Sequence, residues 1–209
     1  AMGAIFYWEA GGFWVVSDYA LAKTVLTDAR FSCDRRPFFI SRMPDINLEL
    51  LADFFNVVSR MMVMHDGASH AARRKVCHRG FLAKHIKALT PVIDGIIDQC
   101  LGHIDPNLPM NFVTALAEPI ASQTLLAFFD IPTSQAAQCC EHAKIMTAFF
   151  GGASAYQNAD AIVLNASAQW LHALFSDLCA MRRRQPGDDF LSALIAHQAD
   201  FSLSDDDLI

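Results

Sequence analysis

From Ser69 to its end the chain reads as one helical stretch after another, and this pattern most limits what it can fold into. A first helix covers residues 69–81 and ends near Gly80. Thr90-Pro91 pairs a capping residue with Pro at the first helical position, which predicts a helix start for PVIDGIIDQCLGHI. The turn DPNLP leads to residues 111–130, where Phe112, Leu116, Ile120, Leu125 and Phe128 mark one face for burial. Ile131-Pro132 ends that helix, and Thr133-Ser134 caps the next, over about 134–149. Gly151-Gly152 then opens a flexible connection to about Asn158. A long helix over about 159–184 reaches Arg182-Arg183-Arg184, where cations suit the helix dipole, and stops at Pro186-Gly187. DDFLSALIAHQ is one more short helix, and residues 205–208 read as the start of another.

β-structure is confined to the front. Residues 4–8 and 13–17 are aromatic and β-branched around Gly11-Gly12, a strand–turn–strand signal. Asp18 caps a short helix whose apolar positions are Tyr19, Ala22, Val25 and Leu26. Between residues 37 and 64 runs a long apolar connection, predicted to hold a short helix at about 47–60. Its Phe38, Phe39, Phe54, Phe55, Met61 and Met62 serve equally well as the lining of a hydrophobic pocket under a lid or as core filler.

The 209 residues are 53% hydrophobic, enough for one sizeable core in a single domain over 1–209. Sixteen basic and 22 acidic residues give a net charge of −6, which argues against a nucleic-acid partner. No apolar run approaches the about 18 residues of a membrane span, and the start lacks the pattern of a signal peptide. Ala1 ahead of Met2 reads as a cloning remnant. Six scattered cysteines with no CxxC pair read as reduced, buried thiols of a cytoplasmic protein. The spacing of His65, Asp66, His70, Cys77 and His78 matches no zinc signature, so no metal is assigned.

The chemistry concentrates in MHDGASHAARRKVCHRGF, residues 64–81. His70 and Arg74 stand four apart and share one helix face. Arg offers a planar fork for a carboxylate, so the pair suits an anionic ligand, with Arg73 able to assist. His65, His78, His85 and His103 read as surface or capping groups.

In order and spacing these segments resemble the N-terminal half of a bacterial cytochrome P450. FWVVSDYALAKTVLTDARFSCDRR is similar to the family's first hairpin, following helix and "rFs.drr" segment. HDGASHAARRKVCHRGF resembles its C helix, AEPIASQTLLAFFDIPTSQ its E helix with Asp130 in place of the usual Gly, and RRRQPGDDFLSALIAH with LSDDDLI its lead-in to the I helix. The resemblance implies a mainly α fold: a P450-like helical array, B to H helices, with a small N-terminal β hairpin, incomplete as a P450. It implies that His70 and Arg74 contact haem propionates, and that the basic surface at Lys75 and Arg79 docks an electron-transfer protein or is ordinary solvated charge. Haem belongs to the intact family, where a cysteine in an F-x-x-G-x-x-x-C-x-G loop holds the iron. Neither that loop nor the E-x-x-R motif occurs in these 209 residues, so haem is expected to be absent or weakly bound.

Two functions follow. In the first, the chain is part of a haem-thiolate monooxygenase acting on a hydrophobic small molecule, inactive alone, with a second chain able to complete the fold. In the second, it is a haem-free binding or interaction module for a small apolar ligand, a carrier domain or a protein. In either, exposed apolar surface predicts homo-oligomers.

Overall fold

A computed structural model of the chain describes residues 3–151 and 157–209. Most of the connection expected between Gly151 and Asn158, and the start at Ala1-Met2, lie outside the described residues. Strands β1 (Ile5–Trp8) and β2 (Phe13–Val16) pair antiparallel, with Ile5 opposite Val16 and Trp8 opposite Phe13. Gly12 turns the hairpin at φ +67°, a conformation that costs glycine little. Helix α1 (Tyr19–Thr27) starts where Asp18 accepts the Leu21 N–H at 2.9 Å. Its apolar residues do not form a buried stripe: Tyr19 and Leu26 face solvent, and no residue of α1 is buried. Helical spacing defines a face but not what packs on it.

The 37–64 connection folds as α2 (Arg36–Ser41), a 3-10 turn (Leu48–Leu51), α3 (Ala52–Arg60) and a second 3-10 turn (Met62–Met64). Then come α4 (Gly67–Gly80) and α5 (Ala83–Gly102). Pro91 lies inside α5 and does not start it. Pro91 is exposed, so water can replace the backbone bond that its missing N–H cannot make. His85 anchors the earlier turn. It is buried, not a surface group, with Nδ1 2.8 Å from the Gly80 carbonyl and Nε2 3.1 Å from the Asp188 carboxylate.

A π-helical turn (Val113–Ala117) runs into α6 (Glu118–Phe128). Pro119 has no N–H for the preceding turn, and the wider turn sends the Glu118 N–H to the Val113 carbonyl instead. The expected buried face here is only partly realised. Leu116 is buried, but Phe112 and Leu125 are 62% and 58% exposed. α6 ends on Asp130, which adopts φ +52°, a left-handed position that favours glycine. Its carboxylate accepts from Arg182 at 2.6 Å, a tie that offsets the strain. Helices α7 (Thr133–Gly151), α8 (Asn158–Arg184) and α9 (Phe190–His197) follow, with a 3-10 turn (Asp205–Asp207) where a further helix was expected to begin.

Helix α8 joins the two larger cores. Its first half packs Ala161, Leu164 and Ala168 on Leu51, Phe54, Val58 and Phe149. Its second half packs Leu174, Leu178 and Cys179 on Val76, Phe190, Leu191 and Leu194. A smaller core joins α5 to the π-helical turn through Ile96, Cys100 and Leu116. No helix among the described residues is long and apolar enough to cross a membrane. The six cysteines are free thiols; Cys33 is exposed, against the expectation of burial.

Helices α4 and α9 touch where Gly80 meets the Phe190 ring; a Cβ on Gly80 would fall 2.2 Å from it. Gly80→Ala should therefore lower stability by about 1–3 kcal/mol. Gly95→Ala, in a part of α5 with open space around it, should raise stability by about 0.5–1 kcal/mol. Denaturant unfolding of the two variants checks both signs.

Candidate functional site

The site is built on α4. Asp66 precedes the helix but does not cap it. Its carboxylate accepts the Ser32 hydroxyl at 2.6 Å and the Cys33 N–H at 3.0 Å, tying the 28–35 loop to the start of α4. These bonds, the Ser32 one foremost, hold the Asp66 carboxyl below its ordinary value.

Two lines of side chains run along the first turns of α4. Ser69, itself exposed, and Arg73 form the inner line, named for the ties of Arg73 to the rest of the fold. Arg73 donates to Asp207 Oδ1 at 2.5 Å, to the Arg60 carbonyl at 3.1 Å and to Ser69 Oγ at 2.8 Å. Ser69 Oγ also lies 3.0 Å from His65 Nδ1. Burial, then the neighbouring Arg73 charge, pushes the His65 imidazole below its ordinary value, which favours a neutral ring. Arg73 is thus committed within the fold and does not assist the outer pair, a correction to the sequence reading. Its partner lies 134 residues away in sequence.

His70 and Arg74 form the outer line. His70 is half-buried and Arg74 exposed, and neither side chain has a hydrogen-bond or ion-pair partner among the described residues. Two donor groups four apart on one helix face, free of acceptors among the described residues, suit a carboxylate. Among the described residues no three His, Cys, Asp or Glu side chains gather as a metal site.

The aromatic and methionine residues fall in different places. Phe54 is 0% exposed and sits edge-on to Phe149 and Phe55 at the centre of a core. Phe55 and Phe39 pack partly on the same core, and Phe38 is exposed beside Phe13 of the hairpin. Met61 and Met62 line a cavity of about 140 Å³ under Arg60 and Arg73, with Val57, Val76 and Leu194 as its apolar wall. Lys75, His78 and Arg79 border an open depression with Phe201.

A larger concavity escaped the sequence reading. An apolar groove of about 750 Å³ lies between α6, α7 and α8, walled by Leu125, Leu126, Phe129, Ala143, Leu171 and Phe175, with the Glu118–Lys144 ion pair among its lining residues. The signal was present in Leu125, counted toward a buried face that the described chain leaves open.

Beneath the site the C-terminal carboxylates are clamped. Asp207 accepts the Ser204 N–H at 2.9 Å and hydroxyl at 2.8 Å, Asp206 lies 3.5 Å from Arg60, and Asp205 accepts from Arg183 at 2.6 Å. Burial alone would push the Asp207 carboxyl up. The Ser204 bonds and the charges of Arg73 and Arg60 overcome it and hold the group below its ordinary value.

No family model matches the chain. It is 27% identical over 208 residues to 2-hydroxy-5-methyl-1-naphthoate 7-hydroxylase of Streptomyces carzinostaticus, covering 94% of this chain and 47% of that protein. It is 26% identical over 191 residues to cytochrome P450 CYP105Q4 of Mycobacterium marinum, covering 90% and 42%. The solved structure of epothilone B-bound cytochrome P450epoK matches with a TM-score of 0.78 at 24% identity, over 98% of this chain and 51% of that one. The chain spans about half the length of the curated relatives it matches.

Because the folded value of Asp207 lies below the ordinary one, its ionised form stabilises the fold above about pH 4, and that contribution drains away as the pH falls further. The melting temperature of Asp207→Asn should therefore lie below that of the parent at neutral pH. The gap should close between about pH 5 and pH 2, as followed by circular dichroism melts.

Proposed function

The chain belongs to the bacterial cytochrome P450 family and spans about half of that fold, and from this premise we propose that it supplies the propionate-anchoring part of a haem-thiolate monooxygenase. Haem, when bound, would supply the redox chemistry of O₂ activation. This chain's residues would hold and orient it: Arg74 presents its N–H fork to a propionate, and His70 donates one ring N–H beside it. The carrying observation is that neither side chain has a partner among the described residues, while Arg73 beside them makes three hydrogen bonds within the fold.

The iron's thiolate would come from outside these 209 residues, in cis or from a second chain. Buried Cys100, Cys139 and Cys179 sit in packed cores, and burial pushes the Cys139 and Cys179 thiols up, away from thiolate. The substrate of the complete fold would be a hydrophobic small molecule, for which Phe38, Met61 and Met62 are the candidate contacts, since Phe54 is fully buried and Phe39 and Phe55 pack on the same core. The compartment is the cytoplasm, and the basic rim at Lys75 and Arg79 would steer an electron-transfer protein. With reduced hemin and CO, the 209-residue chain should give no thiolate-type Soret band; such a band would overturn the split of roles. Arg74→Gln should erode the preference for hemin over its dimethyl ester, which has no free carboxylates, by about three- to tenfold in a titration by absorbance.

A haem-free module is favoured by one observation, the apolar groove between α6, α7 and α8. Such a face would take a small apolar ligand or another protein surface, and a second copy of the chain is the simplest occupant. Sedimentation velocity should show concentration-dependent association, weakened by Leu125→Glu at the groove wall.

A further inference from the structure

We propose that Asp207 is a positioning residue for the His70–Arg74 face, acting through Arg73; this rests on the reading of that face as a propionate anchor. Ser69 with Arg73, and His70 with Arg74, are two parallel lines on α4, displaced by one residue and hence by about 100° around the helix. One guanidinium ties the inner line to two points outside α4, the Arg60 carbonyl at the end of α3 and Asp207 in the 3-10 turn at Asp205–Asp207, and a third bond, to Ser69 within α4, orients the guanidinium itself. Asp207 is itself fixed, because Ser204 donates both its N–H and its hydroxyl to Oδ2. The side chains of Arg73 and Asp207 are 12% and 14% exposed, so solvent screens their pairing little.

A planar fork held this way opposes rolling of α4 about its own axis. Apolar contacts are non-directional, so Val76 and Gly80 against α9 fix the distance of α4 better than its rotation. Any roll swings His70 and Arg74 through the same angle. Asp207 thereby aims a pair that it does not touch.

The test uses the 209-residue chain with hemin and hemin dimethyl ester as probes, titrated in parallel by absorbance. Asp207→Asn should lower the preference for hemin over the ester by about two- to fivefold and add nothing in an Arg74→Gln background. Arg73→Lys, which keeps the charge but loses the fork, should behave like Asp207→Asn. Asp207→Glu, a residue favoured at the same capping position, should restore most of the preference. A purely structural Asp207 would weaken both probes equally, and that result would overturn the proposal. So would an additive loss in the double variant. If Arg74→Gln changes the preference while Asp207→Asn and Arg73→Lys do not, the positioning role fails and the anchor stands. If Arg74→Gln itself changes nothing, the anchor reading fails and the positioning role with it.

Discussion

The two larger cores of this chain are registered on α8. That helix is 27 residues long and apolar on the side facing both larger cores, so elements far apart in sequence meet by packing on a common rod. Its polar positions matter as much. Asn158 accepts the Asn47 N–H at 3.0 Å, and Asn165 accepts the Phe54 N–H at 2.9 Å while donating to Asp53. Gln169 donates to the same carboxylate at 2.6 Å, which with Asn165 holds Asp53 below its ordinary value. One face of α8 thus fixes where α3 starts as well as how it packs. The clamp of Arg60 and Arg73 on the C-terminal carboxylates then ties α3 and α4 to the chain's last residues.

Local features were legible in the sequence wherever a short-range rule decides the outcome. The hairpin, the Asp18 cap and the extent of α8 all follow from short-range signals, turn glycines, a capping side chain and a Pro-Gly stop. The misreadings share a cause. Thr90-Pro91 looks like a start, but residues 83–90 are also helical, and α5 continues through the proline with buried His85 before it and buried Ile96 and Cys100 after it. The stripes on α1 and α6 have helical spacing, yet burial depends on a partner that spacing cannot specify.

The site divides along the same line. The pairing of His70 with Arg74 is a matter of helical period and could be read directly. The fate of Arg73 could not, because its carboxylate stands 134 residues away and nothing local marks Asp207 as its partner. The resemblance implied two haem-facing residues without saying what aims them. The long apolar stretch at 37–64 shows the converse. Its composition left pocket lining and core filler equally open, and burial places Phe54 deep in the packing while Met61 and Met62 border open space.

The amide contacts between α8 and the α3 segment join residues 111 to 116 positions apart. On a ribosome adding about 5–20 residues per second, residues 47–54 emerge roughly ten seconds before their partners are made. Nothing made in that interval can supply these acceptors and donors. A segment that ends with Leu51 and Phe54 fully buried is therefore late to find shelter, and nascent chains are open to sticking to one another during that wait.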